Sequence, residues 1–343
     1  MYELQQSDSP MLFAPCVWVP GRARGVVCDL QRGRAINLPD AYSELMAHLV
    51  GRRGDTLAEL LVELEEERRP AFLGLLQFLM DQDLLFSTAT PERFPPISLR
   101  FSHPSLISSA VLDVDNTSNH NLLSLVAELE SIGCERLVVR LKMADPLTWL
   151  ENLWPLLCAG RGMSVEVFME PAQQTETEVL VSLVRREPRL AVLHKMAADV
   201  DEVVFRAPSG FGSIVFHSAP LDLSLCRPPH QDELQVGLEL FCESQAYNTF
   251  THRKICISAR GTLHNTVGTS PSFGDLHHDS LRQVVAGSDF QAAWFLHKGR
   301  IEGCRDCEFR HLCVDPRLPD EVAPGKFVHT SPCFYDPERG RWR

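Results

Sequence analysis

An alternation of strand and helix patterns between residues 109 and 187 constrains the fold of this chain more than any other feature. Short apolar segments typical of buried strands occupy residues 109–114, 136–141 and 163–169, and each precedes an amphipathic helical pattern. The unit recurs at a spacing of about 27 residues, which is typical of a parallel sheet covered by helices. The run is too short for a closed eight-fold barrel. We therefore predict an α/β fold with a partial (βα) barrel or an open parallel sheet.

The segment before this alternation has a different pattern, in which short strands precede helices. Residues 11–38 contain strand patterns separated by turn sequences. Thr56 and Glu59 have the spacing of a helix capping box, and Pro70 suits the first turn of a further helix. A closing strand is predicted at residues 83–86. We therefore expect a small unit that is distinct from the parallel sheet.

The charge and hydropathy of the chain exclude some classes of function. The formal net charge is −12, which argues against a nucleic-acid binder because such proteins use clustered Lys and Arg to neutralise phosphates. An anionic membrane surface is disfavoured for the same reason. No segment approaches the roughly 20 apolar residues of a membrane-spanning helix, and the N-terminus lacks a signal-peptide pattern. We expect a cytoplasmic protein whose partner is a protein or a peptide.

Four cysteines near the C-terminus carry the clearest chemical signal. Cys304, Cys307 and Cys313 follow a C-x2-C-x5-C pattern, and Cys333 lies twenty residues further on. A C-x2-C turn orients two sulfurs inward, and four thiolates suit either tetrahedral zinc or an iron–sulfur cluster. The surrounding segment is rich in loops, which need a cross-link to become ordered. We predict one metal centre on these four cysteines, with Cys256 as a further candidate ligand.

The chain has eleven cysteines in total. The six that precede residue 250 are scattered among apolar residues, which is typical of small buried side chains without a metal or redox role. These six are Cys16, Cys28, Cys134, Cys158, Cys226 and Cys242.

The C-terminal cysteine pattern resembles the SPASM domain, an iron–sulfur module of many radical SAM peptide-modifying enzymes. Cys256 and Gly261 match the opening of that pattern, and residues 304–313 and Cys333 match its central and final parts. The set that resembles the ligands of the second auxiliary cluster is therefore complete. The resemblance implies one 4Fe-4S cluster on the four C-terminal cysteines, with zinc as the alternative.

Two positions depart from the SPASM pattern. Thr266 stands where the pattern has a cysteine, and residues 314–316 replace another. The set that resembles the first auxiliary cluster retains mainly Cys256, so we expect one metal centre rather than two. The C-x3-C-x2-C triplet, which in radical SAM enzymes leaves one iron open for S-adenosylmethionine, does not occur in the chain. The middle segment thus resembles a radical SAM scaffold without its reactive cluster, and we expect no SAM cleavage.

Nearly the whole chain resembles the SPASM-domain peptide maturase of the grasp-with-spasm systems. Members of this family partner an ATP-grasp ligase that modifies a ribosomally synthesised precursor (RiPP) peptide. The resemblance implies a winged-helix-like RiPP recognition element at residues 1–95, a partial barrel at 96–235 and a SPASM-like metal-binding domain at 236–343. The matching stretches are CDLQR (28–32), SLISSAVLDVDNTSNHN (105–121), LESIGCERLVVR (129–140), YNTFTHRKICI (247–257) and CRDCEFRHLC (304–313).

A recognition element of this kind implies that a leader peptide binds by strand addition. The strand at residues 34–38 would be the exposed edge, facing the helix at 70–80, and the leader would gain main-chain hydrogen bonds there. Arg22 and Arg24, with two further arginines, could attract an acidic leader. The candidate peptide-binding residues are Arg32, Arg34, Ile36, Leu38, Phe72 and Leu76.

The leading hypothesis is a peptide-binding maturation factor, and two alternatives remain beside it. In the first, the metal centre is a redox or Lewis-acid site of a peptide-modifying enzyme, with Asp113, Asp115 and Glu170 as acid–base candidates at strand ends. In the second, a zinc ion staples a purely structural scaffold. The sequence leaves open whether the chain itself catalyses a reaction.

Overall fold

The computed structural model describes residues 4–159, 162–170, 175–223, 227–267 and 271–343. The side chains of residues 158 and 159 also fall outside this description, so the predicted burial of Cys158 and Cys226 lies outside the described residues. The four other scattered cysteines are buried and unpaired, as predicted. None of the helices in these ranges combines the length and apolarity that crossing a bilayer requires.

The N-terminal part folds as two small antiparallel sheets with three helices. Its elements are β1 (Ser9–Leu12), β2 (Cys16–Pro20), β3 (Arg24–Asp29), β4 (Arg34–Pro39), α1 (Ser43–Gly51), α2 (Leu57–Val62), α3 (Arg69–Asp81) and β5 (Leu85–Thr88). β2, β3 and β4 pair in that order, and β1 pairs with β5. The predicted capping box of α2 is present, because Thr56 and Glu59 each accept a hydrogen bond from the other's backbone amide.

Apolar side chains from the three helices form a hydrophobic core against the β2-β3-β4 sheet. Leu45 of α1, Leu60 of α2, and Phe72 and Leu76 of α3 are all buried and belong to one cluster with Val27 of β3. Full burial of each such side chain contributes about 1.5–3 kcal/mol to folding. This core explains why the helical patterns of the N-terminal part are amphipathic.

The central part is an open nine-stranded sheet, as predicted for the α/β class. Its elements are β6 (Ser109–Asp115), α4 (Leu122–Ser131), β7 (Arg136–Lys142), α5 (Pro146–Ala159), β8 (Ser164–Met169), α6 (Thr177–Arg186), β9 (Leu190–Lys195), β10 (Glu202–Arg206), β11 (Ser213–Phe216), α7 (Leu238–Ser244), β12 (Lys254–Ile257), β13 (Thr262–His264) and β14 (Gly274–Asp275). The strand order is β10-β11-β9-β8-β7-β6-β12-β13-β14, and the strands from β11 to β12 in that order are parallel. The sheet is therefore open, with β10 and β14 as its two edge strands.

The two faces of the parallel strands differ in chemistry. Leu112, Val139 and Val167 pair across β6, β7 and β8, and these side chains are fully buried beneath the helices. On the opposite face Asp113 of β6, Arg140 of β7 and Phe168 of β8 form a row, which continues to His194 of β9. Successive strand residues point to opposite faces, so the alternating sequence pattern produces one apolar face and one functionalised face. We call the second one the open face.

β12 extends the parallel sheet with a segment that is distant in sequence. It pairs with β6, placing Lys254 beside Ser109 and Cys256 beside Val111. β13 and β14 then continue the sheet in antiparallel fashion. The sheet therefore contains strands from both sides of residue 235, the predicted boundary between the second and third domains.

The C-terminal part consists of short elements linked by turns. They are α8 (Leu281–Ala286), α9 (Ser288–Ala292), β15 (Asp320–Ala323), β16 (Lys326–Val328), β17 (Tyr335–Asp336) and β18 (Arg341–Trp342). A third apolar cluster joins this part to the N-terminal sheet, because Val26 and Cys28 of β3 pack with Phe241, Phe309 and Tyr335. The N-terminal sheet is thus buried between its own helices and the cysteine-bearing segment.

Candidate metal centre and adjoining groove

The four C-terminal cysteines are gathered in one region of the structure. Cys304 and Cys307 lie on one turn, where the amide of Cys307 donates to the carbonyl of Cys304 at 3.1 Å. Burial raises the pKa of the Cys313 thiol to about 12, and Cys304 and Cys333 act on it in the same direction. Burial also raises the pKa of Cys307 well above its usual value, with contributions from Cys313 and Cys304. The four side chains are therefore electrostatic neighbours, and all are free thiols.

Two buried cations and one carboxylate surround these thiols. Lys298 and Arg317 are 7% and 6% exposed, and both bind Asp315, at 3.0 and 2.7 Å. Burial by itself lowers the pKa of Lys298. The neighbouring groups Cys313, Asp315 and Cys304 outweigh this effect and raise the pKa above its usual value. Arg317 lies close to Cys333 and Cys304 as well. The ammonium of Lys298 and the guanidinium of Arg317 share the single carboxylate of Asp315, which leaves an excess of one positive charge beside the cysteines.

A neutral histidine completes this polar cluster without removing the excess charge. Burial lowers the pKa of His329 to about 4, so its Nε2 accepts a hydrogen bond from Nζ of Lys298 at 3.3 Å. Nδ1 of His329 is then a buried donor that has no partner among the described residues. Buried charges require a partner, and thiolates on a metal would supply negative charge that neutral thiols cannot.

The fit of a metal to this set is partial. The donor chemistry suits zinc or an iron–sulfur cluster, and the adjacent positive charge suits an anionic centre. Within the described ranges, however, no group of three or more His, Cys, Asp or Glu side chains is arranged so that it could hold a metal ion. The predicted centre on Cys304, Cys307, Cys313 and Cys333 therefore remains a prediction.

The further candidate ligand, Cys256, lies in a different environment. It is buried in β12, and burial raises the pKa of its thiol to about 12, with Arg140 and Asp113 as its charged neighbours. The two positions that depart from the SPASM pattern do meet, because Thr266 Oγ1 donates to the carbonyl of Pro316 at 3.0 Å. A hydroxyl–carbonyl hydrogen bond thus occupies the place where the pattern has cysteines.

The N-terminal hairpin is fixed directly to the turn that carries Cys304 and Cys307. Glu308 is fully buried, and its Oε1 accepts from Nε of Arg24 at 2.6 Å and from the hydroxyl of Tyr335. The amide of Arg22 donates to the carbonyl of Asp306 at 2.8 Å. Glu308 follows Cys307, and Tyr335 lies two residues after Cys333, so this network connects β3 to both cysteine-bearing loops.

A groove of about 610 Å³ lies between the open face of the sheet, the segment 227–235, which contributes Arg227, Asp232 and Glu233, and the residues that follow Cys313. Val138, Arg140 and Phe168 form the sheet side, and Val314 and Pro316 form the opposite side next to Cys313. Arg140 is held by Asp113 through two hydrogen bonds of 2.6 and 2.8 Å. The volume is in the range of small-molecule and short-peptide sites, and the lining combines apolar surface with a fixed ion pair.

The predicted peptide-binding residues fall into two groups in the structure. Arg32 and Arg34 both bind Asp29, at 3.1 Å each, and donate to the carbonyls of residues 83 and 82 at the end of α3. Ile36 is half-buried on β4. Leu38, Phe72 and Leu76 are in the hydrophobic core, which accounts for their apolar character without a ligand. Peptide contact at all six positions stays a prediction.

The acid–base candidates at the strand ends have structural partners. Asp115 accepts from the amide and the hydroxyl of Thr117, both at 2.7 Å, which is a turn-stabilising role. Glu170 accepts from the amide of Leu221 at 2.6 Å. Burial raises the pKa of Asp113, although Arg140 opposes this effect. Of the three, Asp113 is the one whose partner lines the groove.

Comparisons with known proteins give only distant structural likenesses. No family model matches this chain, and no curated protein matches it. Among solved structures, the crystal structure of Streptococcus suis SuiB bound to S-adenosylmethionine is similar at 8% identity with a TM-score of 0.31. The match covers 89% of this chain and 94% of that chain. A superposition of this quality supports no conclusion about function.

Several residues of the site were not found by sequence reasoning. Lys298, Asp315 and Arg317 form the charged cluster, and Glu308 fixes the cysteine turn, yet none carries a pattern that distinguishes it from a surface residue. For Lys298 and Glu308 the burial is a property of the tertiary structure alone.

Proposed function

We propose that this chain is a maturation factor for a ribosomally synthesised peptide, which binds the precursor leader and acts with an ATP-grasp ligase. The observation that carries the proposal is the attachment of the N-terminal sheet to the cysteine turn through Arg24, Glu308 and Tyr335. This attachment connects the β2-β3-β4 sheet, in which β4 is an edge strand, to the cysteine-bearing segment that borders the groove. The sequence resemblance to the grasp-with-spasm maturase supports the same conclusion.

The proposed leader site is the outer edge of β4. In the sheet order β2-β3-β4, the outer side of β4 offers backbone amides and carbonyls to an added strand. Arg32 and Arg34 anchor this strand to the end of α3, so the edge is rigid before a peptide binds. A rigid edge reduces the entropy lost on binding. Ile36 offers a half-buried apolar side chain to the leader.

The proposed metal centre is one 4Fe-4S cluster, or alternatively zinc, on Cys304, Cys307, Cys313 and Cys333. The excess positive charge of Lys298 and Arg317 over Asp315 supports an anionic centre at this place. When bound, the metal would cross-link the loops that border the groove. We also propose that the chain does not cleave S-adenosylmethionine, because the C-x3-C-x2-C triplet is missing from the sequence.

The core of the precursor would lie in the groove between Phe168 and Val314 while the partner ligase acts on it. Apolar lining from both sides would hold extended peptide, and the Arg140–Asp113 pair would orient a polar group. In this arrangement the leader and the core contact two regions that a single buried network connects. The chain would therefore present the precursor in a defined geometry.

Leader binding is tested with the full chain and the precursor peptide encoded beside its gene. Peptides carrying backbone N-methyl groups at alternate leader residues cannot donate main-chain hydrogen bonds to β4. We expect binding that weakens about tenfold or more in the register whose amides face β4, and little change in the other register. Equal affinity of both methylated series would rule out strand addition.

Metal content is tested by anaerobic purification followed by iron, sulfide and zinc analysis. Four irons and four sulfides per chain support the cluster, and one zinc supports the alternative. A chain with neither metal contradicts this part of the proposal, while leader binding is judged separately. Formation of 5′-deoxyadenosine from S-adenosylmethionine under reducing conditions would contradict the expected absence of SAM cleavage.

A further inference from the structure

Three titratable side chains form a hydrogen-bonded chain on the open face of the sheet. Glu166 lies on β8, His194 on β9, and His217 directly follows β11. Nε2 of His194 is 3.2 Å from Oε1 of Glu166, and Nδ1 of His194 is 2.8 Å from Nε2 of His217. Both ring nitrogens of His194 are therefore used, one on each side. The fold brings these residues together from three neighbouring strands.

The hydrogen-bond pattern determines where the protons are when both rings are neutral. Glu166 can only accept, so Nε2 of His194 carries a proton and donates it. Nδ1 of His194 is then an acceptor, and Nε2 of His217 must donate to it. This leaves Nδ1 of His217 with a free lone pair. That atom has no hydrogen-bond partner among the described residues, and the His217 side chain is only half-buried.

The charges around Glu166 and His217 favour an ionised carboxylate and a neutral His217 ring at neutral pH. Burial raises the pKa of Glu166, but hydrogen bonds from His194 and Arg136 outweigh it and lower that pKa, so Glu166 is ionised. Burial and the neighbouring His194 lower the pKa of His217, and Asp201 opposes them. His217 is therefore uncharged at pH 7 and is available as a base.

The hydrogen-bonded side chains Glu166, His194 and His217 lie beside a residue of the groove. Phe168 lines the groove and stacks on His194, with ring centroids 4.1 Å apart and an angle of 7° between the rings. In the sheet register, Phe168 pairs with His194, and His194 pairs with Val215, two residues before His217. Along the open face, the two histidines are therefore the next positions after Arg140 and Phe168, which line the groove.

We propose that Glu166, His194 and His217 form a proton relay, an acid–base site that serves a hydroxyl, amide or water proton of a ligand in the groove. The X–H bond of the ligand breaks, its electron pair stays on X, and the proton bonds to Nδ1 of His217. The proton on Nε2 of His217 passes to Nδ1 of His194. His194 becomes the cation and is paired with the Glu166 carboxylate, while His217 remains neutral with its other nitrogen protonated.

The relay goes beyond the proposed function, since it gives this chain an acid–base activity of its own. It also makes a prediction that a merely structural cluster does not make. Protonation of the pair should switch the tautomer of His217 from Nε2–H to Nδ1–H, and the positive charge should appear on His194.

The test is a pH titration of the full chain with ¹⁵N-labelled histidine, followed by NMR that resolves the two ring nitrogens. We expect Nδ1 of His217 to be unprotonated at pH 8 and protonated in the acid form, with His194 as the imidazolium. Glu166→Gln should lower the apparent pKa of His217 by about one unit, because the carboxylate stabilises the positive charge that forms when the proton is passed on. The exposed Asp199→Asn serves as the control and should leave it unchanged.

A second variant keeps the proposal falsifiable if the first perturbs the fold. In a His194→Asn background, Glu166→Gln should no longer change the pKa of His217, because the connection is cut. Diethyl pyrocarbonate, which acylates uncharged imidazole nitrogens, should modify His217 at pH 7 in the wild type. An Nδ1–H tautomer of His217 at pH 8, an unshifted pKa in Glu166→Gln, or an unreactive His217 would each overturn the relay.

Discussion

Nε of Arg24 lies 2.6 Å from Oε1 of Glu308, which joins two residues that are 284 positions apart in the chain. Arg24 opens β3 of the N-terminal sheet, and Glu308 follows Cys307 on the cysteine turn. The Glu308 side chain has no exposure to solvent, whereas Arg24 is 25% exposed. This ion pair is one of the contacts through which a peptide on the N-terminal sheet would be mechanically connected to the groove.

Replacing Arg24 by Ala should destabilise the chain strongly. The substitution leaves Glu308 as an unpaired buried carboxylate, and the loss of one partner of a buried pair costs about 3–5 kcal/mol. We expect a decrease of that order in the free energy of unfolding, measured with urea. Arg22→Ala is the matched control, because the pair of Arg22 with Glu338 is exposed and is worth roughly 0.5 kcal/mol. Equal effects of the two substitutions would contradict a buried role for Arg24.

Serine substitutions of the four C-terminal cysteines should remove bound metal. Cys304→Ser, Cys307→Ser, Cys313→Ser and Cys333→Ser each delete one thiolate of the proposed set. Metal analysis after anaerobic purification should show a loss of most of the metal in each variant. Cys242→Ser is the control, because Cys242 is a buried thiol that packs near the carbonyl of residue 98. Full metal retention in the Cys304 or Cys333 variant would contradict a four-cysteine centre.

Lys298→Met should have different effects on the metal-free and the metal-bound chain. Without metal it removes the excess positive charge, while Asp315 keeps its ion pair with Arg317 at 2.7 Å, so no buried carboxylate is left unpaired and the free energy of unfolding should change little. With metal it removes a cation that stabilises an anionic centre, so the metal should be lost at a lower chelator concentration. Unfolding of the stripped chain and a chelator titration measure the two effects. Weaker folding of the stripped variant with unchanged metal retention would contradict our charge argument.

The burial of His252 should lower the free energy of unfolding of the chain in mild acid. Burial lowers the pKa of His252 below its ordinary value of 6.5, although the hydrogen bond with Glu243 opposes this effect. A histidine with a lowered folded pKa contributes stability above pH 6.5, which is lost as the pH falls towards the folded value because the unfolded chain binds the proton first. The unfolding free energy of His252→Gln should therefore decrease less between pH 7.5 and 5.5 than that of the wild type. The exposed His278→Gln should retain the wild-type difference.

Thr266→Val should destabilise the chain slightly without changing its metal content. The substitution keeps the shape of a buried residue but removes the hydroxyl that binds the Pro316 carbonyl. Pro316 is only half-buried, so loss of this hydrogen bond should cost about 0.5–1.5 kcal/mol. Urea unfolding measures the loss, and metal analysis should give the wild-type value. A lower metal content would show that the position takes part in the centre.

Local sequence patterns predicted the elements of this protein well. The strands β6, β7 and β8 and the helices between them follow from apolar periodicity, which depends only on neighbours within a few residues. The capping box at Thr56 and Glu59 is equally local and is present. The continuation of the sheet by β12 was not predicted, because the pairing of Lys254 with Ser109 depends on contacts between segments far apart in sequence.

The candidate sites show the same division. The spacing of Cys304, Cys307 and Cys313 predicts a shared site for their thiols, since a short turn limits where the sulfurs can lie, and that site stays a prediction. Burial of Phe72 and Leu76 could not be distinguished from an exposed peptide-binding face, because both produce the same apolar pattern on a helix. Only the packed structure shows that these two side chains are in the core.

By itself, the sequence determined which segments become strands and helices, because periodicity acts over a few residues. The tertiary structure alone decided that Arg24 pairs with Glu308 and that Glu166, His194 and His217 align across strands. The physical reason is that strand order and register determine these neighbours. A hydrogen bond or an ion pair exists only where the fold brings the two groups within about 3 Å of each other.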